Sequence, residues 1–209
     1  MYLPKHFRED DPAILTEFMR AHSFAALVTV VDGAPFATHL PLVVQASAEG
    51  VALLGHVARA NPQWQTLAEQ REALAIFAGP HAYVSPTLYE QRQSVPTWNY
   101  IAVHAYGPVR PITAPDEAEA VLQRLIARHE PPYQAQWAEL PERYRTGMLN
   151  GIVAFEMTVT RLEGKFKLSQ NRAAGEQRNL IAALEALGQP DSLELAGRMR
   201  RHLSTVESP

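Results

Sequence analysis

Two runs of β-forming residues joined by Asp32-Gly33 constrain this chain more than any other feature. Residues 24–31 are rich in valine and threonine, and a return strand follows over 34–44. An Asp-Gly pair between such runs favours a tight hairpin, because its two central positions take positive φ. The chain therefore begins as antiparallel sheet. Further strands are predicted over 51–57, 73–78, 98–112 (interrupted at Gly107-Pro108) and 152–159. The last continues, after a bend at 161–164, into the segment around Lys165. Gly79-Pro80 reads as the end of the fourth strand and 80–97 as a long loop.

Helical signals stand between these strands. Asp10-Asp11-Pro12 opens a helix with Ile14, Leu15, Phe18 and Met19 on its apolar face. Asn61-Pro62 opens another, with Trp64, Leu67 and Ala68 as its stripe. Residues 116–129, 176–187 and 192–203 keep the helical period, and 131–147 read as irregular or short-helical. Six strands with hairpin turns, and helices placed at strand ends, give a mainly β chain with peripheral helices (α+β). That pattern describes a closed or half-open barrel and not a doubly wound sheet.

The 209 residues suffice for one domain with a sizeable core or a domain plus an appendage. Zero cysteines exclude disulfides and thiolate chemistry. The net charge of −3 supplies no global field toward nucleic acid. Arg198, Arg200, Arg201 and His202 read as a solvated helix face, so direct DNA binding is not expected. No apolar run approaches the length of a membrane span, and the missing targeting pattern makes a cytoplasmic location the expectation. No His-Glu-x-x-His, nucleophile-elbow, Gly-x-Gly-x-x-Gly or Walker pattern occurs.

Two segments carry donor chemistry. In the stretch from Leu162 to Asn171, Arg161, Glu163, Lys165, Lys167 and Ser169 share one strand face, and Leu162, Gly164, Phe166 and Leu168 the other. Two lysines, a hydroxyl and the carboxamides of Gln170 and Asn171 can hold phosphate, a ring that gains negative charge, or the edge of a heterocycle. The same pattern fits an ordinary half-exposed strand running into a polar turn. In Gly55-His56-Val57-Ala58-Arg59-Ala60-Asn61-Pro62-Gln63-Trp64, an arginine precedes a capped helix start, a plausible phosphate seat. It fits equally a surface arginine at a strand-to-helix junction.

These two segments, with Met1-Tyr2-Leu3-Pro4-Lys5-His6-Phe7, Pro35-Phe36-Ala37-Thr38-His39-Leu40-Pro41 and Val95-Pro96-Thr97-Trp98-Asn99-Tyr100, resemble the PaiB-type FMN-binding proteins. The resemblance runs from Met1 to about residue 184 and keeps five motifs in order. It implies a flavin-reductase-like split β-barrel of six strands with C-terminal helices, a homodimer, and FMN at the subunit interface. Residues 1–170 would form the FMN-binding domain, and 171–209 a helical extension packed on it. Carried over residue by residue, Arg59, Ala60 and Asn61 match the phosphate-side segment, and Thr38, His39 and Leu40 a strand beside the flavin ring. Lys165, Lys167, Ser169, Gln170 and Asn171 match the terminal motif. Thr97 and Asn99 match a motif that the partner subunit can supply. Trp98 reads as a core aromatic. The family is described as negative transcriptional regulators, linked to protease production and sporulation. The alternative is an FMN-dependent oxidoreductase acting on a small molecule.

Overall fold

The computed structural model describes residues 1–69 and 72–207. In chain order the elements are β1 (Arg8–Glu9), α1 (Pro12–Ala21), β2 (Phe24–Val31), β3 (Ala34–Pro41), β4 (Val43–Ser47) and β5 (Gly50–Ala58). Then come α2 (Gln63–Thr66), β6 (Ala73–Val84), β7 (Thr97–Gly107), β8 (Val109–Ile112), α3 (Pro115–His129), α4 (Tyr133–Glu139) and α5 (Glu142–Asn150). The chain ends with β9 (Ile152–Val159), β10 (Arg161–Lys167), α6 (Ala174–Leu187) and α7 (Pro190–Glu207). Among the described residues no helix is long and apolar enough to cross a membrane. Among the described residues the strands number ten where six are predicted: two predicted strands break in two, and β1 and β10 are strands of their own. Residues 208–209 of the expected extension lie outside the described residues.

The chain divides into two compact units. The first contains Met1–Asp11, Ala78–Val103 and Glu163–Pro209, and the second Pro12–Phe77 and His104–Leu162. In the second unit β2 pairs antiparallel with β3 and with the start of β6. The β2–β3 turn is the predicted one: Asp32 has φ 51° and Gly33 φ 77°. The predicted return strand is two strands, β3 and β4, parted at Leu42. Pro41 has no N–H to extend the ladder, and the Leu42 side chain is fully buried. Strands β4, β5, β9 and β8 form an antiparallel sheet in that order. Helix α3 packs Val121 and Leu125 against Leu54, Ile112 and Ala154 of this sheet. Its Pro115 start, first-turn Asp116 and Glu117, and last-turn Arg128 and His129 agree with its helix dipole.

The predicted fifth strand is also two, β7 and β8. Gly107 explains the break. A Cβ there would sit 1.8 Å from the Thr158 carbonyl oxygen. The same crossing is closed by Thr158 N donating to Pro108 O and Thr160 N to Tyr106 O. Only Thr160 separates β9 from β10, so the expected bend over 161–164 is strand.

In the first unit the end of β6 is followed across the sheet by β7, β10 and β1. Strand β6 does not stop at Gly79-Pro80 but runs on to Val84. Ala73, Ala75 and Phe77 are buried before that dipeptide, and Pro80, Ala82 and Val84 after it. The buried phase moves by one residue at the point where the strand passes from the second unit to the first. Helix α6 ends at Gly188, whose φ of 64° is the left-handed helix stop. Leu180, Ile181 and Leu184 of α6 and Leu195, Ala196, Met199 and Leu203 of α7 are buried.

Two glycines give opposite expectations. Gly107→Ala is expected to cost about 2–4 kcal/mol, because backbone must move. Gly147→Ala, inside α5 with open space around it, is expected to stabilise by about 0.5–1 kcal/mol. Urea denaturation of the two variants checks both signs.

Candidate functional site

The residues singled out in the sequence fall into two groups, one in each unit. In the second unit Arg59 leaves the end of β5. Its Nε donates to Asn150 O (2.6 Å) and its Nη2 to Ile152 O (2.8 Å). Trp64 Nε1 donates back to Arg59 O (2.8 Å). The guanidinium is thus fixed by two of its five N–H donors, and the others remain for an anion. Helix α2 is a single turn where a longer amphipathic helix is predicted. Asn61 Oδ1 still accepts from Gln63 N (2.9 Å), as the cap signal requires. Gln63 and Leu67 are the buried residues here, so the inward face lies one residue before the predicted Trp64 and Ala68.

That cap fixes a polarity. Gln63 N can only donate, so the Asn61 oxygen faces it and the Asn61 amide nitrogen faces Thr38. Asn61 Nδ2 donates to Thr38 Oγ1 at 2.8 Å. Thr38 therefore accepts from Asn61, and its own proton is left for another acceptor. Thr38 is half-buried and Leu40 buried on one side of β3, while His39 is exposed on the other and stacks near Phe24 at 6.5 Å. Alternation allows only one of the Thr38 and His39 side chains on a given face. Ala60 is exposed.

Gln63 was not foreseen as a site residue. It is fully buried, and its Nε2 donates to Leu27 O (3.0 Å) and Thr29 Oγ1 (3.0 Å) on β2. It ties the Asn61 turn to the hairpin that carries Thr38. The signal lay in its place four residues before Leu67, a polar residue on an apolar stripe.

In the first unit the terminal motif is more buried than the alternating pattern predicts. Lys165 is 9% exposed, and Gly164, Phe166, Leu168 and Ser169 are buried. Lys165 Nζ donates to Tyr2 O (3.1 Å) and lies 5.4 Å from the ring centres of Tyr2 and Tyr100. Lys167 Nζ donates to Trp98 O (2.8 Å) and to Thr97 Oγ1. Neither ammonium has a carboxylate within ion-pair distance among the described residues; Glu163, on the same strand face, pairs with the Met1 amino group. Burial, and then the neighbouring Lys165 charge, hold Lys167 below the usual lysine range.

Ser169 takes φ 62° while buried, a conformation that costs a non-glycine residue about 1 kcal/mol or more. Its Oγ donates to Asn99 Oδ1 (3.1 Å), and fully buried Asn99 donates to Met199 Sδ (3.5 Å). Thr97, Asn99, Lys165, Lys167 and Ser169 are thus brought together. Gln170 is spent on its own turn: its Oε1 accepts from Leu168 N (2.7 Å) and its Nε2 donates to Phe166 O. Asn171 is exposed. Trp98 is not a core residue, being 50% exposed. On β7 it faces away from Asn99, which takes the buried side.

A family model described as "Putative FMN-binding domain" matches residues 1–161. The chain is 35% identical over 206 residues to protease synthase and sporulation protein PAI 2 of Bacillus subtilis, covering 97% of this chain and 98% of that protein. The chain belongs to the PaiB-type FMN-binding family. FMN is accordingly its cofactor. An uncharacterised protein of Emericella nidulans is 30% identical, over 90% of this chain and 92% of its own. Among solved structures, the FAD and heme binding protein of Mycobacterium smegmatis superposes with a TM-score of 0.62 at 19% identity, over 85% of this chain and 80% of that one. The flavocytochrome Anf3 of Azotobacter vinelandii gives 0.61 at 13% identity, over 77% and 69%. These likenesses carry the fold alone: mainly antiparallel sheet with flanking helices, the split-barrel class.

The donor set suits the cofactor of a PaiB-type protein. Two ammonium groups without carboxylates suit a phosphate or an electron-rich ring, and Thr38 offers a committed donor. Arg59 also has a structural duty. Arg59→Ala is expected to lower the stability of the apo-protein by about 1–3 kcal/mol, since the Asn150 and Ile152 carbonyls lose a charged donor. Thermal and urea unfolding without flavin would show it; an unchanged midpoint would contradict it.

Proposed function

We propose that this chain is a cytoplasmic homodimer that holds FMN at the subunit interface and couples the flavin to regulation, as in the PaiB type. Residues 1–170 form the FMN-binding domain in this reading and 171–209 its helical extension. Thr38, Leu40, Arg59, Ala60 and Asn61 of the second unit bind FMN in this reading, with His39 contributing backbone groups. Thr97, Asn99, Lys165, Lys167, Ser169, Gln170 and Asn171 of the first unit bind FMN in it as well.

The observation that carries the reading is the Lys165–Lys167 pair. Two like charges two residues apart on one strand, partly removed from water and without carboxylates, are costly unless an anion joins them. FMN supplies that anion through its phosphate, and when bound it also supplies hydride or electron transfer chemistry. The chain's own residues bind and orient it. Arg59 and the lysines offer charge-assisted donors, and Thr38 offers an O–H whose direction Asn61 sets. The lysine pair also favours a ring that gains negative charge, which keeps an FMN-dependent oxidoreductase as the second reading. The net charge of −3 argues against the isolated dimer gripping DNA. In that case regulation acts through flavin chemistry or a partner. Anisotropy against its upstream DNA at several salt concentrations separates the readings, because phosphate contacts release counterions. Nanomolar, sequence-selective binding would make the protein an autonomous repressor.

Lys167→Met is expected to weaken FMN by about tenfold or more. Loss of FMN affinity with riboflavin unchanged assigns Lys167 to the phosphate, and equal loss assigns it to the ring. No loss of either would remove it from the site. The sign of its proton linkage is also set. Lys167 is held low in the free protein, so an anion beside it raises its affinity for a proton. FMN binding at alkaline pH should take up protons, seen by calorimetry in buffers of different ionisation enthalpy. Proton release would contradict the assignment. Asn61→Asp makes Thr38 spend its proton on the new carboxylate. It should weaken FMN about tenfold while changing apo stability by about 1 kcal/mol or less.

A further inference from the structure

The first unit carries a second feature that the flavin reading does not use. On its exposed sheet face, Tyr83 of β6 is 54% exposed and Trp98 of β7 is 50% exposed. Their ring centres lie 6.1 Å apart at an interplanar angle of 77°, so the rings stand as two walls of a corner. The His81 ring, 5.9 Å from Trp98, adds a third wall. The end of α6 (Leu187), Gln189 and the start of α7 (Asp191) close the far side, making a groove of about 610 Å³. That volume lies in the range of small-molecule sites.

Large aromatics on a protein surface are ordinary singly. Two at right angles beside a third ring and a carboxylate are not. The charge of the lining is one-sided. Asp191 brings a carboxylate, and among the described residues neither lysine nor arginine lines the groove. His81 also lines the groove; its Nδ1 is 3.5 Å from Asp191 Oδ2 and is charged only when protonated. A phosphate-bearing ligand would meet a carboxylate and, among the described residues, no lysine or arginine. A ligand with a diffuse positive charge would meet the negative faces of the rings and a carboxylate together.

We propose that this groove is a binding site for an organic ammonium cation, with Trp98 and Tyr83 as the aromatic walls and Asp191 as the counter-charge. It is separate in chemistry from the flavin site, which needs cations of its own. The motif that contains Trp98 thus serves two purposes from opposite sides of β7. Asn99 turns inward to Ser169, and Trp98 outward to the groove.

The test uses the full-length protein with FMN present, at mildly alkaline pH where an imidazole carries no charge. The probe is choline, titrated by calorimetry and by tryptophan fluorescence. Its neutral isostere 3,3-dimethyl-1-butanol is the control. Saturable choline binding is expected, with the isostere weaker by about tenfold. Trp98→Ala and Asp191→Asn should each weaken choline by about five- to thirtyfold while FMN affinity stays unchanged. Both side chains are half-exposed, so folded protein is expected, and Trp98→Phe serves as a milder second variant that retains part of the binding. Equal affinity for choline and the isostere would overturn the proposal, as would no saturable choline binding. Conversion of the dimer to monomer by Trp98→Ala, seen by light scattering, would assign the groove to the subunit contact and overturn it too. Loss of FMN affinity in Trp98→Ala would instead place the groove within the flavin site. Failure of FMN to bind the unaltered protein would count against the flavin reading alone.

Discussion

Two ammonium groups on one strand repel each other, and the first unit buries Lys165 and half-buries Lys167. Lys165 and Lys167 point to the same side of β10 because strand side chains alternate. Backbone oxygens of Tyr2 and Trp98, and the Thr97 hydroxyl, replace part of their hydration. Carbonyl dipoles cannot neutralise two full charges. Burial, and then the Lys165 charge, hold Lys167 below the usual lysine range, and an anionic ligand is the group that would offset both. Around this pair the unit is unusually committed. Ser169 accepts a left-handed backbone to reach Asn99, Asn99 is wholly enclosed, and Gln170 closes the turn. A segment with only a structural duty would not need a strained, buried serine beside two unpaired cations.

The second unit prepares its donors by a different device. Gln63 is enclosed and reaches two acceptors on β2. The Asn61 cap is oriented by a backbone N–H that can only donate. Hydrogen-bond direction then propagates to Thr38, whose proton is left over. Arg59 is steadied by the carbonyls at the start of β9. In each case the residue that meets the ligand in our reading is held by one that does not. Such support is what converts a surface arginine or threonine into a recognition group.

Much of this was legible in the sequence, for physical reasons that differ by element. The Asp32-Gly33 hairpin was readable because only a few residues tolerate its two positive φ values. Helix α3 was readable because period, proline start and end charges agree. The strand breaks were harder. Gly79-Pro80 looks like a stop, but β6 runs through it to Val84. Leu42 looks like the middle of a strand, but Pro41 has just removed a ladder donor. The Gly107 break depends on the Thr158 carbonyl, about fifty residues away, which no local pattern encodes. Among site residues, types and clusters were legible and orientations were not. An isolated tryptophan such as Trp98 on a β-rich stretch predicts a core position, because buried aromatics dominate cores. Its exposure follows from Asn99 taking the inward side to meet Ser169, a contact across 70 residues. The role of Gln63 is not legible locally, because its partners lie on a hairpin more than thirty residues earlier.

The central claim is that the paired lysines exist to hold FMN between two copies of this chain. A fluorescence titration of the apo-protein with FMN, run beside light scattering on the same samples, tests it most directly. The account predicts a dimer that saturates at one FMN per chain at about micromolar concentration, with affinity falling as salt screens the cations. A strictly monomeric chain, or no saturable FMN binding at that concentration, would contradict it.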